Sequence, residues 1–149
     1  MSLLLLRFLI YGCLGWCGEI IFTAITDRLS GQAKNWLLMG VTSLWYFPMY
    51  GSIAILYEPL HDLLRPQFFL IRAVAYLIGF WVIEYVGGWL IWKMAGHKPW
   101  DYTHSPGGSL HGLIRWNFIF VWPLYGLALE PVHDFLVKVT PMLLQAMGG

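Results

Sequence analysis

Long apolar stretches separated by short polar ones dominate the pattern of this chain. Four windows are mostly apolar and about 20 or more residues long: about 3–25, 36–57, 68–94 and 113–136. A helix needs roughly 20 consecutive apolar residues to cross the hydrocarbon core of a bilayer. The pattern therefore predicts an all-α polytopic membrane protein, with four transmembrane helices bundled into a single domain over residues 1–149.

Composition supports this class and excludes others. Apolar residues make up 58% of the chain and charged residues 11%, and a soluble domain of this length could not bury so much apolar surface. The net charge of +1 gives no argument for nucleic-acid binding. No basic segment precedes the leucines at the N-terminus, so we read that stretch as a retained first helix and not as a cleaved signal.

The chain also contains an internal repeat. Four residues of the first window recur 65 positions later in the third: Arg7, Tyr11, Trp16 and Glu19 match Arg72, Tyr76, Trp81 and Glu84. The segment "YEPLHDLL" matches "LEPVHDFL" at an offset of 72, and "FPMYG" matches "WPLYG". These identities predict two tandem two-helix halves, about 3–65 and 68–138. Each half has an even number of spans, so the halves should be related by an axis along the membrane normal, like the parallel repeats of transporters.

Two carboxylates fall deep inside the predicted spans. Glu19 and Glu84 lie about two-thirds of the way through theirs. An ionised carboxylate there costs at least ~2.5 kcal/mol, so it usually faces the bundle interior or a wet cavity. Pro48 and Pro123 break the partner helices at comparable positions, and paired breaks in two repeats point to a binding site. We predict a polar substrate site that joins Glu19 and Glu84. The alternative is that each carboxylate is neutral or hydrogen-bonded and only ties helices together.

The stretch "GHKPWDYTHSPGG", residues 96–108, collects polar residues between two apolar windows. Its prolines and glycines exclude a continuous helix, and its Trp and Tyr suit a membrane interface. We predict that Trp100, Asp101 and Tyr102 close over the polar site and bind substrate there together with Arg115. In the alternative, Asp101 only caps a local turn or pairs with a nearby cation.

A second set of charges lies toward the other end of the predicted spans. Arg7 and Arg72 should lie near the depth of Glu58 and Glu130, which predicts two pseudo-equivalent structural ion pairs close to the interface.

The order of Glu and His along the chain matches that of di-iron carboxylate bundles, a Glu and then a Glu-x-x-His, twice. The members would be Glu19, Glu58, His61, Glu84, Glu130 and His133. At a rise of 1.5 Å per residue, the two intramembrane carboxylates lie about 15–20 Å from the Glu-x-x-His pairs. We therefore predict no metal and no cofactor. The sequence also has no Walker motif, so ATP-driven transport would need a separate ATPase subunit.

The residues resemble a known family. "RFLIYGCLGWCGEIIFTA", "GVTSLWYFPMYG", "IRAVAYLIGFWVIEYVGGWL", "KPWDYT" and "GLIRWNFIF" are similar to the vertebrate transmembrane protein 229 family. They are more distantly similar to the bacterial family described as "Putative ABC-transporter type IV", or CmpB-like. The resemblance covers nearly the whole chain and implies an integral protein of a bacterial inner membrane. It places nine residues at family-pattern positions: Arg7, Glu19, Glu58, Arg72, Glu84, Trp100, Asp101, Tyr102 and Glu130. Four polar residues stand outside that pattern: His61, His104, His133 and Arg115.

Three functions are open at this point. We favour a transporter or permease-like component for a small polar or amphipathic solute, because duplication with paired helix breaks suits alternating access. An intramembrane lipid-binding protein or lipid-modifying enzyme is the first alternative, with Glu84 and Asp101 acting on a headgroup. A structural or assembly subunit is the second. The expected partners are membrane lipid and a second copy in a homodimer, with no nucleic acid.

Overall fold

Five α-helices form most of the computed structural model, which describes residues 1–148. They are α1 (Leu3–Leu29), α2 (Tyr46–Gly51), α3 (Ile53–Leu64), α4 (Phe69–Ala95) and α5 (Val121–Ala146). A small antiparallel hairpin of β1 (Ser109–Leu110) and β2 (Ile114–Arg115) and a 3-10 helix (Trp116–Ile119) precede α5. The chain is mostly helical, as the apolar windows predict.

Two of these helices are long and apolar enough to cross a membrane, α1 and α4. Each has 27 residues, which corresponds to about 40 Å at 1.5 Å per residue and exceeds the hydrocarbon thickness of about 30 Å. Both carry large apolar side chains on their exposed faces, such as Phe22 on α1 and Ile78 on α4. Within residues 1–148, two of the four predicted spans therefore meet the test of length and apolarity.

Local capping explains where these two helices end. Ser2 Oγ accepts a hydrogen bond from the Leu5 N–H at 3.1 Å and caps the start of α1. Helix α4 stops at Gly96, whose φ of 77° lies in the left-handed region that glycine tolerates best, and the Gly96 N–H donates to the Trp92 carbonyl at 2.9 Å.

The first compact unit runs from Met1 to Ile55. Here α2 packs closely on α1 because two glycines leave room for aromatic rings. A Cβ atom at Gly15 would overlap the Tyr50 ring, and one at Gly12 would lie 2.7 Å from the Phe47 ring. Small residues allow this close approach between helices.

The predicted second span differs from the structure, because residues 36–45 are not helical and the helix begins at Tyr46. This segment runs along α1 instead. The Val41 N–H donates to Thr23 Oγ1 at 2.9 Å, which satisfies a backbone group without a helix. Gly40 packs directly on the backbone of α1, where any Cβ atom would overlap the Ile20 carbonyl. A hydrogen bond to Thr23 and close packing on α1 thus hold this segment in a non-helical conformation.

The second compact unit begins at Leu56 and contains most of α3 together with α4, the hairpin and α5. Tyr57 Oη donates to the Gly126 carbonyl at 2.6 Å and joins α3 to α5. Gly126 also accommodates the Tyr76 ring of α4, which a Cβ atom would overlap. The Tyr57 and Tyr76 rings pack with centroids 4.9 Å apart. A buried aromatic contact therefore ties the three helices together.

The fourth predicted window also differs at its start. Residues 113–120 hold β2 and the 3-10 helix, and α5 begins at Val121. The hairpin turn places His111 and Gly112 at φ of 54° and 73°, a left-handed conformation that interrupts any helix. An apolar window does not reveal such a turn, because hydropathy carries no information on φ.

Candidate functional site

Glu84 lies on α4 with its side chain buried, 7% exposed. Trp122, near the start of α5, donates its Nε1–H to Glu84 Oε2 at 3.1 Å. Phe80 lies one turn before Glu84 on α4, and its ring stacks on Trp122 with centroids 5.3 Å apart. The Glu84 carboxylate is therefore held by an indole donor beside an aromatic wall.

A continuous series of rings leads from this carboxylate to the loop that was predicted to cover it. Trp122 packs edge-on against Phe118 at 5.9 Å, and Phe118 packs against Tyr102 at 5.7 Å. The Arg115 guanidinium carbon lies 5.4 Å from the centre of the Phe118 ring, within cation–π range. The structure thus connects three predicted site residues, Glu84, Tyr102 and Arg115, through two rings that the sequence analysis did not single out.

Trp100 seats the loop on α4 close to Glu84. Its ring rests on Gly88, where a Cβ atom would lie 2.8 Å from Trp100 Cζ2. Its Nε1–H donates to the Leu113 carbonyl at 2.8 Å, which satisfies the indole inside the loop. Gly88 lies one helical turn after Glu84, so Trp100 packs over the same face of α4 that carries the carboxylate.

Asp101 makes its contacts inside the loop. Its Oδ1 accepts hydrogen bonds from the Thr103 hydroxyl and from the Thr103 N–H at 2.9 Å, and lies 3.5 Å from Lys98 Nζ. The side chain is 55% exposed. The Thr103 hydroxyl and N–H, with the nearby lysine, hold the pKa of Asp101 below its usual value. These contacts fit the alternative in which Asp101 caps a local turn.

Glu19 belongs to the first unit and has a different donor. Tyr50 of α2 donates its hydroxyl to Glu19 Oε2 at 2.6 Å. A shared site formed by Glu19 and Glu84 would join the two compact units and stays a prediction. The same holds for an ion pair between Arg7 and Glu58.

A second polar cluster lies where two matching segments of α3 and α5 meet, residues 58–62 and 130–134. We call it the histidine cluster; its members are Glu58, His61, Asp62, Arg65, Arg72, Tyr76, Glu130, His133 and Asp134. The two imidazole rings are each 2% exposed, with centroids 4.8 Å apart. The two Glu-x-x-His pairs therefore do converge within the second unit.

The pairing inside the cluster is reciprocal, because each imidazole lies between the Glu and the Asp of the opposite segment. The four N···O distances are 3.8 Å for His61–Glu130, 3.9 Å for His61–Asp134, 3.4 Å for His133–Glu58 and 3.2 Å for His133–Asp62.

Two guanidinium groups complete the cluster. Arg72 donates from Nη2 to Glu130 Oε2 at 3.2 Å, and its Nε lies 3.0 Å from Glu130 Oε1, so the two side chains form an ion pair. Arg65 pairs with Asp134 and also lies 2.9 Å, through Nη2, from His61 Nε2. Sequence reasoning placed Arg72 and Glu130 at one depth but missed Arg65. The available signal was its spacing, four residues after His61 on the same helical face.

The contacts of His61 fix its tautomer. Arginine can only donate, so Nε2 of His61 accepts from Arg65 and carries no proton. Nδ1 then carries the proton and donates to Tyr76 Oη at 2.8 Å, and the Tyr76 hydroxyl donates to Glu130 Oε1 at 3.0 Å. His61 is thus a neutral imidazole oriented by a tyrosine and a carboxylate.

Comparison with known protein families shows the family of this chain. A family model described as "Putative ABC-transporter type IV" matches residues 6–147. The chain belongs to this family. Membership, with the two helices that could cross a bilayer, makes it a membrane protein of a transport-related family. The similarity to the vertebrate transmembrane protein 229 family stays a resemblance. No solved structure matches the chain.

Proposed function

We propose that the chain is a membrane-embedded component of a transport system, and that Glu84 holds a small polar or amphipathic solute. The observation that carries this proposal is a buried carboxylate beside a wall of aromatic rings, beneath a loop seated on the same helix. Intramembrane carboxylates are costly and mark substrate or ion paths by default. The family description is compatible with a transport role.

The chemistry around Glu84 favours one kind of solute. A carboxylate accepts hydrogen bonds and pairs with cations, and the faces of Phe80 and Trp122 attract positive charge. The polar end of the solute is therefore a hydrogen-bond donor or a cation. Its apolar part would lie against the rings of Phe118 and Tyr102 on the way to the loop.

The loop would control access to this site. Trp100 fits on Gly88 and donates a hydrogen bond to the Leu113 carbonyl. Lifting Trp100 off Gly88 would open the route along α4 toward Glu84, and Arg115 would face an entering molecule at the rim. Asp101 would keep the loop folded and would not contact the solute.

Several wider features belong to the same proposal. The chain would lie in a bacterial inner membrane, with α2–α3 and α5 also in the bilayer as the remaining two spans. Its two halves would be a duplicated hairpin, and Glu19 would mark the second copy of the site. A separate ATPase subunit would supply the energy, in line with the ABC-transporter description, and a homodimer would enclose the path.

One observation favours lipid binding as a second candidate. A groove of about 210 Å³ opens beside Tyr57 and Phe80. The residues that line it are Leu56, Tyr57, Leu60, Tyr76, Gly79, Phe80, Val82 and Ile83. Its apolar wall would suit an acyl chain and not a polar solute.

Mass spectrometry of the molecules retained by the gently purified full chain tests both candidates. Wild type is compared with Glu84→Gln, which keeps the size of the side chain but removes its charge and replaces one acceptor oxygen by an NH2 donor. Asp62→Asn is the matched control, because it also removes the charge of a carboxylate, on a side chain that is 61% exposed and lies outside the loop. The proposal predicts a defined small molecule on wild type and Asp62→Asn that Glu84→Gln loses. Identical retained molecules on all three proteins would contradict a solute site at Glu84. If the molecule retained by all three is a single lipid species, lipid binding in the apolar groove is favoured instead.

A further inference from the structure

The histidine cluster has no part in the proposed function, and it brings metal-binding side chains together within the unit that begins at Leu56. Its two imidazoles are each 2% exposed and lie among the carboxylates of Glu58, Asp62, Glu130 and Asp134. Buried polar and charged groups of these types are normally paired with one another or coordinate a metal ion.

His133 shows where one positive charge is needed. Its Nδ1 lies 3.4 Å from Glu58 Oε1 and its Nε2 lies 3.2 Å from Asp62 Oδ1. A neutral imidazole has a single N–H, so one of its nitrogens must face a carboxylate oxygen with lone pair against lone pair. A cation at that nitrogen, either a proton or a metal ion, removes the conflict.

His61 is already arranged as a metal ligand. Its Nδ1–H is held by Tyr76, which is held in turn by Glu130. This leaves the Nε2 lone pair on the side of Asp134, 3.9 Å from its Oδ1. Metal-binding histidines commonly have such a support, in which the second ring nitrogen donates to a group that fixes the ring.

We propose that the histidine cluster binds one divalent transition-metal ion through His61, His133 and Asp134. One ligand atom from each of the three residues lies within 4.8 Å of the others. Bonds of about 2.1 Å bring ligand atoms to roughly 3.0–3.4 Å from one another, so side-chain adjustments of the order of an ångström close the site. Two imidazoles with one carboxylate form a ligand set typical of Zn²⁺ and non-haem Fe²⁺.

Arg65 acts as a competitor for this metal ion. Its guanidinium pairs with Asp134 and with His61 Nε2, the atoms that the metal would take. The Arg65 side chain is 50% exposed, so it can swing into solvent when an ion arrives. The matching position four residues after His133 is Val137, so the other half of the cluster has no such competitor. Removing the guanidinium should therefore strengthen metal binding.

Zinc titration of the full chain tests the proposal. The protein is purified in detergent with a tag free of histidine, stripped of metal, and titrated with Zn²⁺ against a competing chelator, with elemental analysis for stoichiometry. We expect one Zn²⁺ per chain in wild type. We expect His133→Ala and Asp134→Asn to weaken binding about tenfold or more, because each loses a ligand. His104→Ala, at an exposed loop position, is the control and should bind as wild type does.

Arg65→Gln separates a metal site from a network of ion pairs. The metal proposal predicts tighter Zn²⁺ binding in Arg65→Gln than in wild type, whereas loss of an ion pair alone leaves Zn²⁺ affinity unchanged. Asp134→Asn and Arg65→Gln change partly exposed side chains, so they remain informative even if His133→Ala fails to fold. The proposal is overturned if wild type binds no Zn²⁺, or if Asp134→Asn and Arg65→Gln bind it as wild type does. Neither result depends on a solute at Glu84.

Discussion

The two intramembrane carboxylates occupy matching positions in the predicted repeat but are bound by different donors. Glu19 Oε2 accepts the Tyr50 hydroxyl at 2.6 Å, whereas Glu84 Oε2 accepts the Trp122 indole N–H at 3.1 Å. Glu19 is partly exposed and Glu84 is buried. Equal sequence positions have therefore produced two different environments.

The residue one turn before each carboxylate accounts for the difference. Gly15 leaves a space that the Tyr50 ring fills, so the hydroxyl of Tyr50 comes within reach of Glu19. Phe80 takes the matching place in the second unit, and the Tyr125 ring packs against it at 5.3 Å. Trp122 then provides the donor for Glu84. A glycine in one half and a phenylalanine in the other decide which aromatic residue binds the carboxylate.

Removing the Phe80 ring should have the largest effect. Phe80 is 7% exposed and packs on Trp122, Tyr125 and Tyr57. We expect Phe80→Ala to lower the free energy of unfolding by about 3–5 kcal/mol, because a buried ring is lost and a cavity remains. Denaturant unfolding in mild detergent measures this. Phe120→Ala, at a side chain 76% exposed, is the control, and an equal loss in both would disprove the role of Phe80.

The converse substitution tests the first unit. Gly15→Phe forces a ring into the space that Tyr50 occupies, and we expect a loss of about 1–3 kcal/mol in the free energy of unfolding from overpacking. The Tyr50–Glu19 hydrogen bond should break as well. Gly18→Phe serves as a control, since a Cβ atom there meets nothing within 4 Å. If Gly15→Phe unfolds at the same denaturant concentration as wild type, Gly15 does not select the donor.

Changing the donor itself should have a smaller effect. Trp122→Phe keeps an aromatic ring against Phe80 but removes the N–H that binds Glu84. A hydrogen bond to a charged group is worth about 1.5–3 kcal/mol and one between neutral groups about 1 kcal/mol. We expect a stability loss within that span and weaker retention of the solute. The matched change in the first unit, Tyr50→Phe, should affect stability without affecting retention, and loss of solute in both variants would argue for one joint site.

The loop should show the smallest effect, and it should depend on pH. The pKa of Asp101 is lowered by its bonds to Thr103, so its contribution to loop stability is present above the ordinary value of 3.8 and is lost as pH falls through the lowered pKa. Amide hydrogen exchange at Thr103 should therefore become less protected in strong acid. In Asp101→Asn the Thr103 amide should be weakly protected from exchange at every pH. If protection of this amide in wild type does not change in acid, the assignment is contradicted.

Much of the helical structure could be predicted from apolar length alone. The windows 3–25 and 68–94 correspond closely to α1 and α4, because long uninterrupted apolar runs leave few other conformations in a bilayer. Residues 36–45 and 113–120 also fall in predicted apolar windows but are not α-helical. Their conformation depends on tertiary contacts, such as the packing of Gly40 on α1, and on the positive φ at His111. Hydropathy encodes neither of these features.

The candidate sites were predicted to a different extent. Composition and depth single out Glu84 as a candidate, and the loop motif singles out Trp100 and Tyr102, because buried charge and interfacial aromatics stand out in an apolar chain. The donor to Glu84, Trp122, could not be predicted, because the sequence around a tryptophan does not show which acceptor its indole N–H will contact.

The histidine cluster was discounted for a geometrical reason. The di-iron pattern required the intramembrane carboxylates to share one level with the two Glu-x-x-His pairs, and helix length excludes that. The structure brings Asp62 and Asp134 beside His133 and His61 instead. An aspartate directly follows each of these histidines in the sequence, and the di-iron pattern takes no account of it.

The most direct test of the central claim is a binding titration of the solute that co-purifies with the protein. Wild type, Glu84→Gln and Glu19→Gln would be titrated side by side in the same detergent. The account predicts that Glu84→Gln raises the Kd about tenfold or more, as expected when a charge-assisted hydrogen bond of about 1.5–3 kcal/mol is lost, and that Glu19→Gln changes it less. An unchanged Kd for Glu84→Gln would contradict the assignment of Glu84 as the solute site.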